Sequence, residues 1–198
     1  MSAPAPSPPS PPLVAVAASA GGIPALSELL RELPDDFPGA VLVVLHIEPH
    51  RISHLAEVLA RSSALPVTQA AAGEAPQSGH VYVAPPDRHL VVGADGRLAL
   101  ADTPPEHHTR PSADPLFASL ADYCGRRAVA AVLSGMGMDG SRGVRAVADG
   151  GGTVLAQDAA TAGYYGMPAA AIATGGVAHV LPPRAMARLL STLVTVPT

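Results

Sequence analysis

The chain has 198 residues, enough for one domain with a substantial core, and 48% of them are apolar, which excludes a wholly disordered protein. Its twelve basic side chains are all arginine and face sixteen acids, for a formal charge of −4. Without a lysine amine, Schiff-base chemistry and a Walker-type phosphate loop are excluded, and without a basic block nucleic acid is not the expected partner.

Residues 1–12 are rich in Pro, Ser and Ala and lack the basic and apolar segments of a signal peptide. They read as a disordered, polyproline-like tail before a single domain over residues 13–198. Residues 13–18 form an apolar run suited to a strand buried on both faces, ending at Ser19. Gly21 and Gly22 then lead into a helix predicted over 23–33, with Pro24 in its first turn. A serine at such a strand-to-helix turn suits a nucleophile elbow, an anion cradle or a plain turn.

A second buried strand over 40–45 delivers His46, and a helix is predicted over 52–62. Residues 80–84 are strand-like, and 89–92 with 97–100 flank a Gly-Ala-Asp-Gly turn, an antiparallel hairpin expected at a sheet edge. The following polar loop holds His107 and His108, both read as solvated. Asp114 is predicted to cap a helix running to Tyr123, with Pro115 at its first position. Cys124, the single cysteine, excludes an internal disulfide and reads as packed or idle.

Strands over 128–133 and 153–156, helices over 141–148 and 167–173, a short strand over 178–181 and a last helix after Pro183 complete the chain. No apolar run approaches a membrane span, so no membrane insertion is expected and the cytoplasm is the expected location. The alternation predicts an α/β fold: a doubly wound, mainly parallel sheet flanked by helices, with the antiparallel hairpin at its edge.

In such a sheet ligands gather outside the carboxyl ends of the strands. Ser19, His46, Asp139 and Asp158 stand there, and a hydroxyl, an imidazole and a carboxylate are what nucleophilic acyl transfer needs. The order Ser, His, Asp differs from that of common α/β-hydrolases. Each residue also has a plainer reading: Ser19 as a turn hydrogen bond, His46 as a satisfied strand-end histidine, Asp139 as a helix N-cap. His46, His50 and His54 recur every fourth residue and invite a metal reading, but Pro49 denies them one unbroken helix. Tyr164 and Tyr165, in a Gly-flanked loop, could border a site there.

Six segments together resemble the CheB-type chemotaxis protein-glutamate methylesterases. They are Ala18-Ser-Ala-Gly-Gly22, His46 after its strand, His80-Val-Tyr-Val-Ala-Pro-Pro-Asp-Arg-His89, Arg110-Pro-Ser-Ala-Asp114, Leu133-Ser-Gly-Met-Gly-Met-Asp-Gly140, and Gln157-Asp-Ala-Ala-Thr161 through Gly166-Met-Pro168. The resemblance covers about residues 13–190. It implies cytoplasmic signal transduction within a phosphorelay. The reaction would be hydrolysis of glutamate γ-methyl esters on methyl-accepting chemotaxis receptors, with receptor glutamine deamidation in some members.

By motif position the nucleophile falls on Ser19, the base on His46 and the orienting acid on Asp139, with no metal and no cofactor. The oxyanion donors would be the N–H groups of Ala20 and Met136. Gly21, Gly22, Gly135, Gly137, Tyr164 and Tyr165 would line the substrate groove. Full-length relatives begin with a receiver domain, whereas here a Pro-rich tail precedes the match, so a separate receiver or kinase protein is a further expected partner. Ala20 also replaces a frequent threonine. The rival readings are a non-catalytic receptor- or kinase-binding module of the same fold, an esterase for another ester, and a metal hydrolase.

Overall fold

The computed structural model describes residues 11–46 and 53–195. The tail before Pro11, and His50 with its neighbours, lie outside the described residues. The chain order is β1 (Leu13–Ala18), α1 (Gly22–Arg31), β2 (Ala40–Leu45), α2 (Leu55–Ala60), β3 (Val67–Gln69), β4 (His80–Val83), β5 (His89–Val92) and β6 (Leu98–Ala101). It continues with α3 (Ala113–Cys124), β7 (Val129–Val132), α4 (Ser141–Asp149), β8 (Thr153–Gln157), α5 (Gly166–Ala173), β9 (His179–Leu181) and α6 (Pro183–Thr195).

Seven strands form one parallel sheet in the order β3-β4-β2-β1-β7-β8-β9. The continuous apolar runs of β1 and β2 are buried at every position, as a sheet covered on both faces requires. Alternate residues feed two cores: Leu13, Ala15 and Ala17 pack toward α3, α4 and α5, while Val14, Val16 and Ala18 pack toward α1 and α6. From β1 the chain winds outward through β2 and later returns to build β7 on the other side. The crevice between β1 and β7 is therefore the topological switch point, where open α/β sheets place their ligands.

The antiparallel pair β5–β6 is a two-stranded sheet of its own, held against α3 by Leu90, Val92 and Leu98 rather than by hydrogen bonds to an edge strand. Helix α2 begins three residues later than its apolar spacing suggests. Ser53 Oγ accepts the Leu55 N–H at 3.3 Å, a local turn that competes with helix there. Among the described residues no helix is long and apolar enough to cross a membrane.

Candidate active site

Ala18 of β1 pairs with Leu45 of β2, and the His46 N–H donates to the Ala18 carbonyl at 3.2 Å. Ser19 and His46 are thus the next residues on adjacent parallel strands, which run about 5 Å apart. Alternation continued by one residue turns both toward the α3–α4 face. Ser19 leaves β1 in a tight turn closed by Gly22 N–H to Ser19 carbonyl at 2.8 Å, with Gly21 at φ +70°. That conformation suits glycine. A Cβ on Gly21 would also sit 2.7 Å from Ser134 Oγ, and one on Gly22 would sit 2.6 Å from Leu45 Cδ1.

The loop after β7 supplies the opposite wall. The Ser19 N–H donates to the Ser134 carbonyl at 2.9 Å, and Ser134 Oγ donates to the Ala20 carbonyl at 2.8 Å while accepting the Tyr164 N–H at 2.9 Å. Gln157 Oε1 accepts the Ser134 N–H at 2.7 Å. Gly135 is hemmed in, since a Cβ there would meet Met167 Sδ at 2.2 Å and Ser19 Cβ at 3.0 Å. Its own N–H goes to the Tyr164 carbonyl. The Ala20 and Met136 N–H groups donate to nothing among the described residues.

His46 Nε2 lies 2.6 Å from Asp139 Oδ2, with the imidazole 13% and the carboxylate 2% exposed. That bond leaves Nδ1 as the ring nitrogen for a second partner. No hydrogen bond joins Ser19 Oγ to His46 among the described residues, a gap that free enzymes often show before substrate closes it. Asp139 also accepts from Ser112 Oγ at 2.6 Å, the Ala113 N–H at 2.7 Å and the Asp114 N–H at 3.3 Å. Burial pushes its carboxyl up, but the bonds from His46, Ala113 and Ser112 outweigh burial and hold it below the usual carboxylate range. Asp139 is thus an ion at neutral pH, aimed at the imidazole.

Three expectations change. Asp114 does not cap α3: Ser112 stands at the N-cap, and the first N–H groups of α3 go to Asp139. Asp114 itself is buried, accepting the Gly143 N–H of α4 at 2.8 Å and Arg142 Nε at 3.3 Å. His107 is not simply solvated, because its Nε2 lies 3.1 Å from Asp114 Oδ2; His108 is exposed. Asp158 stays out of the site, its Oδ1 taken by the Thr161 N–H and hydroxyl in a local turn.

The predicted rim residues lie on the loops after β7 and β8. Met136, Tyr164 and Tyr165 are exposed, as is Met138 beside them. A Cβ on Gly21 would lie 3.2 Å from the Tyr164 ring, so the tyrosine flanks the serine turn. Gly137 sits at φ +82° in open space. Ser112, Ser134, His89 and Gln157 were also missed as site residues. The only signal for them in the sequence was a polar side chain within or beside an apolar element.

Of the histidine series, His46 is bonded to Asp139 and the exposed His54 has its Nδ1 3.2 Å from Glu57, while His50 lies outside the described residues. His107, Asp114 and Asp139 bring donor atoms within 4.8 Å of one another. The Arg142 guanidinium, on Asp114, and the His46 ring, on Asp139, already hold those carboxylates. A cavity of about 250 Å³ lies at the opposite end of the sheet, among Leu13, Cys124, Val129 and Val194. Burial pushes the Cys124 thiol up to about 11 against the pull of Arg127, so it is a packed thiol there.

The CheB methylesterase family model matches residues 14–190. The chain belongs to the CheB methylesterase family. Protein-glutamate methylesterase/protein-glutamine glutaminase 4 of Burkholderia thailandensis is 44% identical over 192 residues, covering 97% of this chain and 56% of that protein. Protein-glutamate methylesterase/protein-glutamine glutaminase 2 of Anaeromyxobacter dehalogenans is 45% identical over 181 residues, covering 89% and 53%. The chain therefore spans about half the length of these curated relatives. Among solved structures it is similar to the Thermotoga maritima CheB methylesterase catalytic domain, at TM-score 0.89 and 34% identity over 93% of this chain and 99% of that one. The CheB fold, with its parallel sheet and separate hairpin, is the architecture described above.

Proposed function

We propose that this chain is a chemotaxis-type protein-glutamate methylesterase domain in which Ser19, His46 and Asp139 form the catalytic triad. The observation that carries the reading is the 2.6 Å bond between His46 and the ionised Asp139, one strand position from Ser19 at the sheet's switch point. Ser19 Oγ attacks the ester carbonyl while His46 Nδ1 takes its proton; the C–O bond to the methoxy group then breaks and His46 protonates the departing methanol. Water deprotonated by the same nitrogen hydrolyses the acyl-enzyme to free glutamate. Asp139 keeps the ring in the Nε2–H tautomer and stabilises the cation formed in each half.

The oxyanion is received by the N–H groups of Ala20 and Met136, which have no competing partner among the described residues. Gly21 and Gly137 leave the surface beside Ser19 open, whereas Gly22, predicted to line the groove, is buried against Ala18 and Leu45 on the α1 side and Gly135 is packed under Met167. The exposed Met136, Met138, Tyr164 and Tyr165 offer apolar rims to a methylated receptor helix in the cytoplasm. Glutamine deamidation uses the same steps with ammonia leaving, and a receiver or kinase protein is a further partner.

Methanol release from methylated receptor by wild type and Ser19→Ala tests this, alongside labelling by a fluorophosphonate, which reacts only with an activated serine. Release and labelling should both vanish in the variant. Equal methanol release from both proteins would remove Ser19 from the mechanism, and an unlabelled, inactive wild type would support the non-catalytic module. Activity on generic esters but not on receptor would support a different esterase.

A further inference from the structure

Asp139 caps a helix it does not belong to. An N-cap serine ordinarily accepts an N–H from the turn it precedes, yet Ser112, at the N-cap of α3, makes no such bond. Its hydroxyl donates instead to Asp139 Oδ1 at 2.6 Å, and Asp139 takes the Ala113 N–H at 2.7 Å on Oδ2 and the Asp114 N–H at 3.3 Å on Oδ1. With both oxygens tied to one helix end the carboxylate plane cannot rotate, and the free side of Oδ2 faces His46 Nε2.

Ser112 is itself held from the hairpin. The fully buried His89, first residue of β5, accepts the Ser112 N–H on Nδ1 at 3.2 Å and donates from Nε2 to the Pro104 carbonyl at 3.1 Å. Both ring nitrogens are thereby committed and the tautomer is determined. Strand β5 is in turn pinned to α3 by the Val92 N–H on Ser119 Oγ at 3.0 Å. The hairpin, which lies off the main sheet, so connects by hydrogen bonds to the imidazole at the strand ends.

We infer that Ser112, and His89 through it, are positioning residues that orient the Asp139 carboxylate toward His46. The catalytic consequence rests on the esterase reading above; the orientation itself does not. Wild type, Ser112→Ala, Ser112→Thr and His89→Gln are compared by fluorophosphonate labelling rate, by kcat and KM for methanol release from methylated receptor, and by the low-field NMR resonance of the His46 Nε2 proton in the free protein. Ser112→Ala should lower the labelling rate and kcat roughly 10- to 100-fold with KM unchanged, and shift or broaden the resonance. Ser112→Thr, which keeps the hydroxyl, should recover much of both, and His89→Gln should fall in the same direction by less.

Wild-type kcat, labelling and resonance in Ser112→Ala would overturn the inference, and so would a lowered Tm with kcat unchanged. Labelling without methanol release in wild type would instead reject the proposed substrate, and the labelling rates would still decide the role of Ser112. If wild type does not label, the proton resonance decides it.

Discussion

Around Ser19 the turn is held by backbone bonds, by the Ser134 hydroxyl and by the lack of neighbouring side chains; around Asp139 side-chain donors and a helix end converge on one carboxylate. The serine turn depends on Gly21 at positive φ, on Gly22 against Ala18 and Leu45, and on Gly135 against the Ser19 Cβ. The acid takes the Ser112 hydroxyl, the Ala113 and Asp114 N–H groups at the start of α3, and the His46 imidazole. On the proposed triad, the difference follows from what each group would do. A nucleophile needs open space for a carbonyl, so neighbours are removed; an orienting carboxylate needs one fixed direction and an ionised state, so donors are added.

Changing Asp139 to Asn should break the second arrangement with the largest effect, about 10⁴-fold in kcat, because the amide no longer stabilises the required tautomer and cation. Steady-state methanol release measures it. Breaking the first arrangement should act on folding as well as rate. Gly22→Ala puts a Cβ 2.7 Å from the Ala18 Cβ, which cannot swing away. It should destabilise the protein by about 1–3 kcal/mol in urea titrations despite better helix propensity. Ser134→Ala removes the hydroxyl joining the Ala20 carbonyl to the Tyr164 N–H and should cost about 1–2 kcal/mol, with a loss of kcat if Ala20 donates to the oxyanion.

Acid sharpens the contrast further. Asp139 has a folded value below its unfolded one, so its contribution is complete above the ordinary carboxylate range and is lost as pH falls through the folded value. The Tm difference between wild type and Asp139→Asn should therefore narrow steadily on acidification below that range, whereas the Tm cost of Gly22→Ala should not. The smallest effect is expected away from both loops. Arg184 reaches Glu28 and Glu32 at 3.6 and 3.5 Å across the exposed α1–α6 surface, and Arg184→Ala should change stability by no more than about 0.5 kcal/mol with no change in kcat.

Strands β1, β2 and β7 were legible because a strand covered on both faces must be apolar throughout. The ends of β1 and β2 show as the first polar residue, whereas β7 stops one residue short of the apolar run at each end. Ser19 and His46 were legible for the same reason. Asp139 was read as either an acid or a cap. It is bonded to His46 and it is a cap, of α3 rather than of α4, whose own N-cap is Gly140. Local spacing points a capping residue at its nearest helix and cannot reveal one twenty-six residues away in the chain.

The sequence by itself determined the strand and helix order, the turn glycines and the chemical types standing at the strand ends, since these depend on burial periodicity and on φ, which neighbouring residues set. Only the tertiary structure decided that the hairpin stands off the sheet, that His89 and Ser112 are buried donors and acceptors, and that Asp114 and His107 pair beside α4. Those are properties of polar groups far apart in the chain, each stable in the interior only because folding brings its hydrogen-bond partner to it.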